Sequence, residues 1–131
     1  QLLLIDDSYN ANIDSVTAAL VALKQLAEGR RKVFVAGQML ELGDTSEQVH
    51  TRTAELAHEA GVSDILAIGE AARPLARRAR ELGIATTYVD DADQALATID
   101  QIVTDFDAVL VKGSHSSGAW RIADYLKEVR A

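Results

Sequence analysis

Cysteine is absent from this sequence, and proline and tryptophan each occur once among 131 residues. Without cysteine there is no disulfide framework, no thiolate nucleophile and no Cys-type zinc site, which is compatible with a reducing cytoplasm. No apolar run reaches the length of a bilayer span, and no signal-peptide pattern occurs. Positive charge is scarce as well: 13 Lys and Arg stand against 20 Asp and Glu, a formal net charge of −7. That balance argues against a nucleic-acid partner, because phosphate binding needs a basic footprint.

Several chemical signatures are also missing. No Gly-x-x-x-x-Gly-Lys-[Ser/Thr] phosphate loop is present, and no Gly-x-Gly-x-x-Gly follows the first apolar run, so the chain reads neither as a P-loop nor as a dinucleotide-binding domain. There is no Gly-x-Ser-x-Gly elbow for a serine nucleophile. His50, His58 and His115 lack metal-ligand spacing. The first two read as surface residues of a helix.

What is present is a hydrophobic content of 48%, enough for the core of one domain. Folding at this length removes roughly two-thirds of the unfolded chain's surface from water without help from a metal or disulfide. The chain opens at Gln1, inside an apolar run and without an initiator Met, which reads as a piece of a longer protein. Five short runs, Leu2 to Ile5, Val33 to Ala36, Ile65 to Ile68, Thr86 to Val89 and Ala108 to Val111, suit parallel strands covered on both faces.

Helical spacing fills the gaps between these runs. Val16, Leu20, Leu23 and Leu26 mark the first helix, with Gly29 where a C-cap belongs. The second opens at Thr45 to Gln48 with the spacing of a capping box and closes at Gly61. Leu75, Ala79 and Leu82 define the third, with Pro74 in its first turn. Leu96, Ile99 and Ile102 mark the fourth, and Ala119, Ile122, Leu126 and Val129 the fifth. This alternation predicts an α/β fold, a Rossmann-like doubly wound three-layer sandwich on a mainly parallel sheet of about five strands. The basic stretch from Arg73 to Arg80 reads as a solvated helix face, with an anion-binding patch as the other reading.

In such sheets ligands bind beyond the carboxyl ends of the strands. The segment from Asp6 to Asn12 (Asp-Asp-Ser-Tyr-Asn-Ala-Asn) crowds two carboxylates, a phenol and two carboxamides into seven residues. A helix cap needs only one of them, so the segment points to function, although Asn12 is also a ready cap. The segment from Lys112 to Gly118 offers a lysine at a strand end, then Gly and Ser leading into a helix, where N–H groups and an ammonium can hold a carboxylate or phosphate. The Gly37 to Gly43 connection, with Met39, Leu40 and Leu42, reads as a loop tucked against the core or another domain.

Taken in order, these motifs resemble the C-terminal domain of the Mur ligases, most of all those that join D-alanyl-D-alanine to UDP-N-acetylmuramoyl-tripeptide. Leu4 to Asn12 is similar to the segment that opens that domain. Gly37, Met39 and Glu41-Leu-Gly43 resemble the family's Gly-Asp-Met-x-Glu-Leu-Gly, and Val109 to Ser114 its Val-Leu-Val-Lys-Gly-Ser; His50 also matches a common family residue. The resemblance spans nearly the whole chain.

It implies one domain, residues 1–131, of a three-domain bacterial cytoplasmic enzyme. ATP activates the tripeptide carboxylate as an acyl phosphate and the amine of D-Ala-D-Ala attacks it. The phosphate loop and magnesium ligands belong to the central domain, so the piece alone is expected to be inactive. The resemblance places Asp7, Tyr9, Asn10 and Asn12 beside the nucleotide, and Lys112, Ser114 and Ser116 where the dipeptide lies, with His115 able to donate a hydrogen bond. Ile13 stands where many members have Pro, Gln38 where they have Asp, His115 where Arg is common, and Trp120 where Glu is usual. No acid or metal role therefore carries to Gln38.

Two other readings share the alternation. A phospho-receiver signalling domain has a similar length, a Leu-Ile-Asp-Asp-like first strand end and a lysine after the fifth strand. It needs an aspartate after the third strand, where this chain has Gly69-Glu70, and usually has Pro where Gly113 stands. A nucleotide-binding α/β module without enzymatic parentage shares the composition but not the ordered motifs.

Overall fold

The computed structural model describes residues 1–8 and 11–130. Five strands, β1 (Leu3–Asp7), β2 (Lys32–Gly37), β3 (Asp64–Ile68), β4 (Ala85–Val89) and β5 (Ala108–Lys112), alternate with five helices, α1 (Ile13–Leu26), α2 (Ser46–Glu59), α3 (Arg73–Glu81), α4 (Ala92–Ile102) and α5 (Ala119–Val129). All four pairings are parallel, in the order β1-β5-β2-β3-β4. The expected doubly wound α/β sandwich is what forms. Its first strand lies at one edge, whereas in the 2-1-3-4-5 order of receiver-type folds the first strand is internal.

Strand alternation divides the core in two. Phe34, Ala36, Ile65, Ala67, Ala108 and Leu110 face α1, α2 and α3, while Val33, Val35, Leu66, Ile68, Val109 and Val111 face α4 and α5. Because both faces are covered, β2, β3 and β5 are apolar almost without interruption, which is why they were legible as runs. Leu20, Leu23, Ile99, Ile122 and Leu126 supply the helix stripes that close on the sheet, each such side chain contributing about 1.5–3 kcal/mol when fully buried.

Helix α1 starts where its chemistry dictates. Asn12 is extended (φ −139°, ψ 170°), its Oδ1 accepts from Ser15 N, and the Ser15 hydroxyl accepts from Asn12 N. The second helix begins differently from expectation. Thr45 has a helical backbone, and its hydroxyl donates to Leu42 O (2.7 Å) rather than capping the helix. A 3₁₀ turn at Gly43–Thr45 leads straight into α2, so Thr45 lacks the extended conformation that a side-chain cap requires.

At the end of the sheet opposite the carboxyl ends of the strands, buried Asp107 is tied by Arg31 Nε (3.2 Å) and Nη2 (2.7 Å) and by Thr104 N (2.8 Å) and Oγ1 (2.9 Å). Burial pushes its carboxyl up, but these donors outweigh that and hold it below its ordinary value. Arg31 also reaches Asp64, so one guanidinium joins the entries of β3 and β5.

Candidate functional site at the strand ends

The carboxyl ends of the strands form a level crest. Asp7 is in register with Lys112, Lys112 with Ala36, Gly37 with Ile68, and Ile68 with Val89. Strand β5 lies between β1 and β2, yet its following helix packs on the other face of the sheet from theirs. The loops after β1 and β2 therefore leave in one direction and the loop after β5 in the other. Such a reversal opens a crevice for a ligand.

Alternation along β1 sends its two terminal carboxylates to opposite faces. Asp6 turns toward α5, where Lys127 Nζ lies 2.5 Å from Oδ2 and the Ser8 hydroxyl donates to Oδ1 (2.6 Å). Partial burial pushes the Asp6 carboxyl up, but Lys127 and Ser8 bring it below its usual value. Asp7 turns toward the α1 side, its Oδ2 2.8 Å from Lys112 Nζ. Both aspartates belong to β1 rather than to the loop that follows.

Lys112 is only 1% exposed. It continues the Ala108, Leu110 row of β5, and its stem borders the interior among Val16, Phe34, Ala36, Met39 and Leu75. The lysine proposed from sequence for the dipeptide is thus a buried residue ion-paired to the half-exposed Asp7. Asn12, for its part, is engaged as the α1 cap. Tyr9 and Asn10 lie outside the described residues.

A lattice of hydrogen bonds binds the β5 turn to the loop after β2. Ser114 N donates to Gln38 O (3.0 Å), and Leu40 N donates to Ser114 Oγ (2.9 Å). Ser117 Oγ donates to Ser114 O (2.6 Å) and accepts from Ala119 N (3.2 Å). Gln38 also reaches the third strand end, its Oε1 accepting from Ala71 N (3.0 Å). Gly37 permits this closeness: a Cβ there would stand 2.3 Å from Ser117 Oγ, and one on Gly113 would stand 2.8 Å from Gly37 Cα.

His50 joins the same lattice, contrary to its reading as a surface residue. It is fully buried. Its Nε2 accepts from Met39 N (3.0 Å) and its Nδ1 lies 2.7 Å from Ser46 O. Burial pushes the imidazole pKa down, partly offset by the Ser46 carbonyl. His58 is exposed, as expected, and Met39 is buried as the tucked-loop reading required.

On the α4–α5 side the strand ends enclose a cleft of about 460 Å³, lined by Gln38, Asp90, Asp91, His115, Ser116 and Arg121 among others. The His115 and Trp120 rings stack in its wall, centroids 5.4 Å apart and planes within 2°. The two family departures near this turn are therefore in contact with each other. Asp91 Oδ1 caps α4 by accepting from Gln94 N, and Arg121 reaches Asp93 at 2.7 Å. The wall offers carboxylates on one side and a guanidinium and imidazole on the other, a set suited to a small zwitterion. Among the described residues no group of three or more His, Asp or Glu side chains converges as a metal site.

The structure thus brings Ser114, His115 and Ser116 together near the cleft and sets Asp7 and Lys112 on the other face. Sequence reasoning placed His50 at the surface and did not single out Arg121. Arg121 was discoverable only as the polar neighbour of Ile122 on a helix following the β5 turn. The basic stretch is a solvated helix face as read: Leu75, Ala76 and Ala79 turn inward, Arg73 stacks on the Tyr88 ring (4.4 Å), and Arg78 pairs with Glu55 and Glu81.

Comparison with known proteins bears directly on this edge. Residues 1–115 match the family model described as Mur ligase, glutamate ligase domain. The UDP-N-acetylmuramoyl-tripeptide–D-alanyl-D-alanine ligase of Escherichia coli is 34% identical over 96% of this chain, and that of Mycobacterium leprae 37% over 93%. The chain spans 27% of the length of each. Among solved structures, MurF from Acinetobacter baumannii superposes with a TM-score of 0.83 at 29% identity, over 97% of this chain and 28% of that one. MurF from Thermotoga maritima, solved in complex with ADP, shares the fold at a TM-score of 0.73 and 22% identity, over 97% of this chain and 28% of that one.

Proposed function

The chain belongs to the Mur ligase glutamate-ligase domain family, and from that premise we propose that it is the C-terminal domain of a longer bacterial cytoplasmic ligase that joins D-alanyl-D-alanine to UDP-N-acetylmuramoyl-tripeptide. The observation that carries the reading is that relatives of that name align across nearly the whole chain, strand-end loops included. In the proposed reaction the terminal carboxylate of the tripeptide takes the γ-phosphoryl group of ATP, releasing ADP. The dipeptide amine then attacks the acyl carbon, an amide bond forms, phosphate leaves, and the amine proton passes to solvent. ATP is a substrate here, and its magnesium ion and phosphate-binding loop are assigned to the remainder of the longer chain.

This domain's share of the work is positioning. The cleft beside His115, Ser116 and Arg121 is the half-site for the dipeptide, because a guanidinium and an imidazole suit its carboxylate and Asp90 and Asp91 suit its ammonium before deprotonation. Ser114 fixes the turn that presents them. Asp7 is held by Lys112 at the mouth of the segment that continues through Tyr9, Asn10 and Asn12, the group proposed to border the nucleotide. Closing this edge over the rest of the enzyme would keep water from the acyl phosphate, which water otherwise hydrolyses.

The test is product analysis by mass spectrometry with the full-length ligase, ATP and the UDP-muramoyl tripeptide. The amino substrates would be D-Ala-D-Ala, D-glutamate and meso-diaminopimelate in parallel. Formation of the pentapeptide nucleotide from the dipeptide alone is expected. Preferential transfer of a single amino acid would assign the chain to another member of the family.

A further inference from the structure

The hydrogen bonds around His50 define its chemical state. Ser46 O can only accept, so Nδ1 carries the proton of that 2.7 Å contact; Met39 N can only donate, so Nε2 is bare. Both bonds exist together only in the neutral Nδ1–H tautomer. The imidazole is fully enclosed and sits one turn into α2. From there it grips the main chain of the loop after β2 at Met39, next to the residue whose amide bonds Ser114.

The loop is therefore held from two sides. His50 anchors Met39 N from α2, while Ser114 Oγ anchors Leu40 N from the β5 turn, and Gln38 O accepts from Ser114 N. Ser114 cannot keep both of its bonds unless residues 38–40 stay in place. His115 and Ser116, which line the cleft, follow it directly in the chain.

We propose that His50 is a positioning residue of this ligase: its neutral imidazole pins the loop after β2, and through Ser114 sets the turn that receives the incoming dipeptide. The role rests on the functional reading given above, and it differs from a core-filling role in one respect. A side chain that only fills space is replaceable by another of its volume, whereas a pin needs a hydrogen-bond acceptor facing Met39 N.

Two variants separate these roles. His50→Leu keeps much of the volume and removes the acceptor; His50→Gln restores an acceptor oxygen near Nε2. In the 131-residue chain, amide hydrogen exchange is followed by NMR at Met39 and Leu40, with Ala57 of α2 and Leu110 of β5 as references. His50→Leu is expected to speed exchange at Met39 and Leu40 by about tenfold or more relative to the references, the loss of one buried hydrogen bond, and His50→Gln to recover most of it. In the full-length ligase the dipeptide KM is expected to rise about tenfold in His50→Leu while the ATP KM stays within twofold, with recovery in His50→Gln.

Equal exchange in the native chain and in His50→Leu would overturn the proposal. So would a glutamine variant no better than leucine at Met39. If His50→Leu does not fold, Ser114→Ala reports on the same lattice. It should loosen Leu40 selectively, and protection there equal to that of the native chain would also overturn the proposal. Should the enzyme prefer another amine, the proposed substrate falls, while the exchange measurements still decide whether His50 pins the loop.

Discussion

Lys112 and His50 show how far a residue's meaning depends on what surrounds it. From sequence, Lys112 is a cation at a strand end, free to meet a carboxylate ligand. In the fold its stem is packed in the core and its ammonium meets Asp7. Truncation to alanine opens a cavity and leaves Asp7 without this cation, so Lys112→Ala should lower stability by about 2–5 kcal/mol. Lys112→Met, which keeps the volume, should cost less; urea unfolding midpoints of the two variants check the order. His50 carries a pH signature. Its folded-state pKa is depressed by burial, so the unfolded chain binds more protons as pH falls through the ordinary imidazole range near 6.5, and stability drops there. The contribution is complete above that range and is lost progressively as pH falls toward the lower folded value. Urea midpoints measured from pH 8 to pH 5.5 should decline in the native chain and decline less in His50→Gln, which has no imidazole to protonate.

Among the elements, the strands were legible to within two residues at each end and the helices by the spacing of their apolar residues, because each carries a short-range signature. Parallel strands buried on both faces give unbroken apolar runs, and α1 announces itself by Asn12 and by Val16, Leu20 and Leu23 at helical spacing. The errors fall where one element's conformation depends on another. Thr45 loses its capping role because the loop after β2 enters α2 through a 3₁₀ turn. Asp6 and Asp7 read as loop residues, yet they pair with Val111 and Lys112 and extend β1. The loop after β2 is also where an element-level perturbation should be felt most. A methyl group on Gly37 would collide with Ser117 in the 3₁₀ turn that precedes α5. Gly37→Ala should therefore cost about 1–3 kcal/mol by overpacking, and Gly37→Ala combined with Ser117→Gly should recover part of it. Thermal unfolding of the single and double variants provides the check.

At the scale of the whole molecule, the 131 residues contain no Gly-x-x-x-x-Gly-Lys-[Ser/Thr] phosphate-binding loop, and the described residues of the candidate half-sites lie at the carboxyl ends of the strands. The chain by itself should fold and leave ATP intact, with ADP release no faster than the buffer blank in a coupled assay; measurable turnover would sink the proposed division of labour. Its composition, the five-fold strand–helix alternation and the ordered strand-end motifs were enough to identify an α/β domain and its family resemblance, since each is a local or cumulative property of the chain. The strand order β1-β5-β2-β3-β4 was not available in this way, because every crossover from strand to helix to parallel strand looks alike in one dimension wherever the next strand docks. That order alone places β5 between β1 and β2, sends Lys112 inward to Asp7, and sets His115 and Ser116 on the opposite face. It also brings Ser114 against the loop that His50 holds. Local pattern along the chain is enough to say which elements form and which polar residues stand near strand ends. Which of those residues meet follows only from the packed fold, because contacts between distant segments depend on docking and packing rather than on local pattern.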